Sequence, residues 1–345
     1  MRKTEGSTKT ILKRAVIGLL IFVVAYTLIS VALSAVVYSI IFENIPNDEL
    51  PFGYDYADFA DDYPRTEAEF SSGENTLRGY RYGAGNGAGV VIVANGVGSN
   101  VDSHLPEIMY FVDAGWQVLA YSGTGVGDSD GNSIIGLSQM RLDLLAAIDC
   151  VRESTDLPIV IYGHSAGGYA AASVLGERDV AGAVCIAGFN SPTETMYGKA
   201  KEYVGVLADI EKPILRLQHW FVFGSDGYVD AIDSINSTDT PVVVYQGTND
   251  STVTYPLSVY SHYAESTNPN AVFIETADEH TGAWLSPTAK AYVSQLKREY
   301  AELEKTPEKI AEFKASVDRE KANELDLDFL RGVTEFFTAS AEKSK

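Results

Sequence analysis

The polarity pattern divides the chain before any single residue is considered. From Ala15 to Phe42 no residue is charged, a run longer than the ~20 residues that cross a bilayer as a helix. It also exceeds the ~7–15-residue apolar core of a cleaved signal peptide. Its best small-residue pair, Ser34-Ala35, is followed by a further apolar stretch, Val37–Phe42. The pattern predicts an uncleaved, single-pass signal anchor over 15–42. Beyond it, Arg65–Ser71 and Thr76–Tyr82 alternate around Ser72-Gly73-Glu74-Asn75 and predict a β-hairpin. Val90–Ala94, Gln117–Tyr121, Ile159–Tyr162, Ala181–Ala187, Val242–Gln246 and Val272–Thr276 are short apolar runs, expected as buried strands. Segments with helical spacing lie between them at Ser103–Ala114, Leu137–Glu153 and Gly167–Leu175. Asp102 or Ser103 is the expected N-cap of the first, and Gly115 its end. Strands alternating with helices predict an α/β domain, its mostly parallel sheet covered by helices on both faces. In such sheets, sites gather at the carboxyl ends of the strands.

An insertion over about 191–240 interrupts the alternation. It predicts two helices, Thr193–Ile210 and Pro213–Phe223, the second opening on Pro213 as a first-turn residue. A long insertion near the carboxyl edge of a sheet is expected to form a cap. Ile214, Leu215, Leu217, Trp220, Phe221 and Phe223 would give that cap an apolar acyl site. His219 and Trp220 are the candidate pocket residues. The C-terminal stretch 305–345 predicts helices Pro307–Lys321 and Leu327–Ala339, capped by Thr306 and Asp326.

Charge orients the anchor. Arg2, Lys3, Lys9, Lys13 and Arg14 precede it against Glu5 alone, whereas Glu43, Asp48, Glu49, Asp55, Asp58, Asp61 and Asp62 follow it before Arg65. The positive-inside rule puts 1–14 in the cytoplasm. It makes 43–64 an extracytoplasmic acidic tether and places the remainder outside the cell membrane. Asn249-Asp250-Ser251 is a formal glycosylation sequon overlapping a candidate catalytic residue. A glycan there would obstruct the site, so a bacterial source is the easier expectation. The whole chain carries 47 acidic against 26 basic residues, a net charge of -21. That balance argues against a nucleic-acid partner. The expected partners are a small-molecule ester or peptide substrate and, through 15–42, the lipid bilayer. Cys150 and Cys185 sit in apolar surroundings and read as two buried free thiols.

Gly163-His164-Ser165-Ala166-Gly167 fits the G-x-S-x-G pattern of a nucleophile elbow, with a strand before it and a helix after it. A serine hydroxyl needs a base within hydrogen-bond reach and an acid to orient that base. Of five histidines, His280 lies in a loop directly after the last strand. His164 adjoins Ser165 within the turn, so its side chain diverges from the serine and reads as a packing or hydrogen-bonding residue. His104, His219 and His262 lie in helical stretches. Asp250 follows strand Val242–Gln246 and the turn at Gly247, whereas Asp278 and Glu279 are too close to His280 to orient it. The amides of Ala166 and Val97 are the expected oxyanion donors.

On these residues the chain resembles the α/β-hydrolase superfamily, in particular its cap-bearing serine hydrolases of the serine-aminopeptidase-like and monoacylglycerol-lipase-like kind. The resemblance runs over roughly Arg65–Leu303. It is carried by "ANGVGSN", by "YSGTGVGDSDG" with Gly125, Gly127, Ser129 and Gly131, by the elbow, by "QGTNDSTV" and by "DEHTGAW". It implies an α/β-hydrolase domain over 65–304, with Ser165 as nucleophile, Asp250 as acid and His280 as base. It also implies oxyanion donors at Val97 and Ala166, and neither cofactor nor metal. Asn95 departs from it, standing where the family has a histidine. The activity expected is that of a carboxylesterase or lipase-like serine hydrolase. An aminopeptidase would need an acidic group for the free amine, and Glu194, Glu202, Asp209 and Glu211 lie in the insertion. A surface binding protein on a hydrolase scaffold is the alternative from another class.

Overall fold

The computed structural model describes residues 2–41, 53–132 and 136–344. Phe42 of the expected anchor and 43–52 of the expected tether lie outside them. Helix α1 (Arg2–Ile41) is followed by the hairpin of β1 (Arg65–Ser72) and β2 (Asn75–Tyr82). The alternating part comprises β3 (Val90–Ala94), α2 (Leu105–Asp113), β4 (Gln117–Ser122), α3 (Leu137–Arg152), β5 (Ile159–His164), α4 (Ala166–Ser173) and β6 (Gly182–Ile186). The insertion carries α5 (Pro192–Val204), α6 (Leu207–Phe223) and α7 (Ala231–Asn236). The chain closes with β7 (Val242–Gly247), β8 (Ala271–Thr276), α8 (Pro287–Glu302), α9 (Pro307–Ser316), α10 (Arg319–Ala322) and α11 (Leu327–Lys343).

The strands form one sheet in the order β1-β2-β4-β3-β5-β6-β7-β8. The hairpin pairs antiparallel to itself and to β4, and every other pair is parallel. Strand alternation sends successive side chains to two cores. Val90, Ile92, Ile159 and Ile161 pack with Leu144, Ile148 and Tyr169 from α3 and α4. Val91, Val93, Val160 and Tyr162 pack on the opposite face with Ile108 and Phe111 from α2 and with Phe337 from α11. Burial on both faces explains why these strands read as continuous apolar runs.

Three local expectations are corrected. Neither Asp102 nor Ser103 caps α2. Asp102 is taken by Arg65 at 3.0 Å, Ser103 Oγ accepts from Asn100 N, and His104 occupies the N-cap position without capping. Pro213 lies inside α6 rather than opening it. The break between α5 and α6 falls at Gly205, whose φ of 59° favours glycine. The helix expected over Pro307–Lys321 divides at Val317, because the Asp318 side chain accepts from Lys321 N at 3.0 Å and starts α10. Thr306 and Asp326 cap α9 and α11 as expected.

Within α1, the stretch Thr10–Ala32 has a mean hydropathy of 2.6 and is only 6% buried by the rest of the chain. It is long and apolar enough to cross a membrane.

Candidate active site

The turn between β5 and α4 leaves no room for side chains at its glycines. A Cβ on Gly163 would sit 2.3 Å from Gly167 O, and one on Gly167 would sit 1.9 Å from Ala94 O. The two glycines of the motif are therefore required by the approach of α4 to β5 and β3. Between them Ser165 has φ 59° and ψ -121°, a left-handed conformation that costs a non-glycine residue energy. It is held there by its own N–H, which donates to Ile186 O at 2.8 Å.

Two loops at the carboxyl ends of β7 and β8 meet this turn. His280 Nε2 lies 2.9 Å from Ser165 Oγ, and His280 Nδ1 lies 2.8 Å from Asp250 Oδ2. The other carboxylate oxygen of Asp250 accepts from Thr252 N and Val253 N, each at 2.8 Å. Burial acts to raise the Asp250 pKa, but the hydrogen bond and charge of His280 and the two amides outweigh it and hold the carboxyl below its usual range. Gln246, from the end of β7, donates to Val253 O at 3.1 Å and fixes the Asp250 loop from below.

His164 is turned away from Ser165, in accord with its place in the turn. Its Nε2 bonds to His280 O at 2.9 Å, and its ring packs on His280 and Trp284. Burial, then the neighbouring His280 and His104, push its pKa well below the ordinary histidine value. It is therefore neutral, with Nε2–H as the donor. His104 pairs with Glu107 at 2.7 Å within the core, and His262 pairs with Glu265 at 3.0 Å on the surface.

The loop after β3 passes directly beside the serine, since a Cβ on Gly96 would lie 3.0 Å from Ser165 Cβ. Among the described residues, neither Val97 N nor Ala166 N donates to another protein group. Asn95 Nδ2 donates to Tyr121 O at 2.9 Å and ties this loop to the end of β4.

Residues 85–222 match the family described as serine aminopeptidase, S33. The Pyrococcus furiosus esterase Pf2001 superposes with a TM-score of 0.53 and 18% identity, over 75% of this chain and 96% of that one. The chain has the α/β-hydrolase fold. DcsB, solved with a substrate analogue, superposes with a TM-score of 0.52 and 15% identity, over 80% of this chain and 99% of that one. No curated protein matches the chain in sequence.

The site also has supports that no motif announced. Asp143, buried on α3, accepts from Ser72 Oγ at 2.6 Å, Thr124 N at 2.7 Å, Thr124 Oγ1 at 2.9 Å and Gln139 Nε2 at 2.9 Å. It thereby clamps the glycine-rich turn beyond β4 to β1. A lone carboxylate on the apolar face of the predicted helix 137–153 was the available signal. The insertion corrects another expectation. Leu217, Trp220 and Phe221 of α6 are exposed rather than turned inward. His219 is buried, with Nε2 3.1 Å from Ser138 Oγ of α3, and burial pushes its pKa down to about 4. Both cysteines are free, but Cys150 is half-buried rather than buried and lies 3.2 Å from Arg81 Nη2.

Proposed function

We propose that the chain is a membrane-anchored serine hydrolase that cleaves carboxylic esters through an acyl-enzyme on Ser165. The relay of Ser165, His280 and Asp250, at 2.9 and 2.8 Å, carries this reading. In it, His280 Nε2 takes the Ser165 proton as Oγ attacks the ester carbonyl. Asp250 holds the ring through Nδ1 and stabilises the imidazolium. The Val97 and Ala166 amides receive the oxyanion. His280 then protonates the leaving alcohol, activates a water, and that water releases the acid and regenerates Ser165. The chemistry calls for no cofactor or metal.

We read 1–14 as cytoplasmic, 15–42 as the anchor, 43–64 as tether, 65–304 as hydrolase domain with its insertion as a cap, and 305–345 as C-terminal helices. The catalytic domain then faces the outside of the cell, and a bacterial source fits this reading.

The aminopeptidase alternative draws on the family description. Against it, the insertion carboxylates considered for an amine are already engaged. Glu194 meets Lys212 at 3.1 Å, Glu202 meets Lys199 at 3.1 Å, Asp209 meets Tyr197 and Lys201, and Glu211 meets Tyr26 at 2.7 Å. A fluorophosphonate probe tests the reading, with the wild type labelled and Ser165→Ala and His280→Ala unlabelled. A folded wild type that resists the probe would sink it. p-Nitrophenyl esters against aminoacyl anilides then separate esterase from peptidase.

A further inference from the structure

The insertion presents an apolar stripe that nothing in the described residues covers. Val206 is 75% exposed, Ile210 60%, Leu217 47%, Trp220 53% and Phe221 73%. At about 100° per residue, these positions fall within roughly 100° of one another, along one side of α6. The helix also meets α1. Glu211 of α6 accepts from Tyr26 Oη at 2.7 Å and from Ser30 Oγ at 3.0 Å.

The position of that contact along α1 matters. Taking Arg14 as the inner boundary, a rise of about 1.5 Å per residue puts Tyr26 about 18 Å and Ser30 about 24 Å across the bilayer. With a hydrocarbon core about 30 Å thick, the two hydroxyls lie roughly 6–12 Å beneath the outer boundary. An amphipathic helix lying in the interface buries its apolar face to about 5–10 Å. The contact thus holds α6 at the depth where such a helix rests. Arg216, exposed beside the stripe, suits lipid phosphates.

We infer that α6 is a second membrane element, lying in the outer leaflet with its stripe among the acyl chains and fastened to the anchor through Glu211. The insertion then opens onto the bilayer, and the esters presented to Ser165 are those resident in it. The docking rests on the anchor reading, and the substrate class on the esterase reading.

The test uses the full chain in vesicles of phosphatidylcholine and phosphatidylglycerol. In a Cys150→Ser background, a fluorophore is placed on Ile210→Cys, Phe221→Cys or Asp233→Cys, the last at an exposed position of α7. Shallow lipid nitroxides should quench the first two, and aqueous iodide the third. Equal iodide access at all three overturns the docking, whatever the enzyme's activity. Release of the chain by alkaline carbonate overturns the anchor and the docking together. Ile210→Ser with Phe221→Ser should slow cleavage of a long-chain ester in vesicles about tenfold, through the apolar area withdrawn from lipid. It should leave a soluble short ester unaffected. Equal effects on both esters, or on neither, overturn it. A parent that cleaves no soluble ester defeats the esterase reading and leaves the fluorophore result standing.

Discussion

His164 reaches the backbone of His280, not its ring, through a 2.9 Å hydrogen bond to the carbonyl oxygen. The residue beside Ser165 thereby sets the height of the loop that carries His280. His164→Phe keeps the ring but leaves that carbonyl without its buried donor, at a cost of about 1–3 kcal/mol. The expected result is a kcat lowered about tenfold with KM little changed, partly rescued in His164→Gln, which retains an N–H. A purely structural His164 would lower folded yield and leave the kcat of the folded fraction intact. Steady-state kinetics on soluble esters distinguish the two.

Ser165 occupies backbone space that suits glycine. Ser165→Gly should abolish labelling and turnover while raising thermal stability. Release of about 1–3 kcal/mol of backbone strain exceeds the loss of one hydrogen bond of about 1 kcal/mol. Scanning calorimetry should show a melting temperature higher by a few degrees. An equal or lower value would mean that the turn is unstrained.

Gly167 has no room for a methyl group, because its Cβ would fall 1.9 Å from Ala94 O, a backbone atom of β3. Gly167→Ala should fail to accumulate as folded protein, a loss well beyond the ~1 kcal/mol of a typical substitution. Recovery of a stable, active Gly167→Ala would show that α4 can retreat from the sheet.

Acid should weaken the fold through His219. Its folded pKa of about 4 lies below the ordinary 6.5, because burial disfavours the cation. The unfolded chain therefore binds the proton first. Stability is full above about pH 6.5 and is lost as pH falls toward about 4. His164, also depressed, acts with the same sign. Denaturant midpoints measured over this window should fall with acid in the wild type, and less steeply in His219→Gln. Parallel slopes would mean that His219 does not carry the effect.

The polarity pattern revealed the sheet because its central strands are buried on both faces, and the candidate relay because Asp250 and His280 each follow a strand end. Other features were not legible for identifiable reasons. The partner of His164 is a carbonyl 116 positions away in the chain, and any residue supplies a carbonyl. The large apolar residues of 213–223 were legible, but not which way they look. Leu217 and Phe221 face outward because α6 meets α5 and α3 with its opposite side, through Leu215 and His219. Pro213 misled because the proline signal for a helix start was stronger than that of Gly205, where the chain breaks.

Asn95 has one further consequence. The resemblance places an imidazole at this position, a group whose charge changes near neutrality. An amide neither gains nor loses a proton over that range. The clasp from Asn95 to Tyr121 therefore holds its form as acidity varies, and the loop after β3 keeps one geometry where an imidazole clasp would acquire a second.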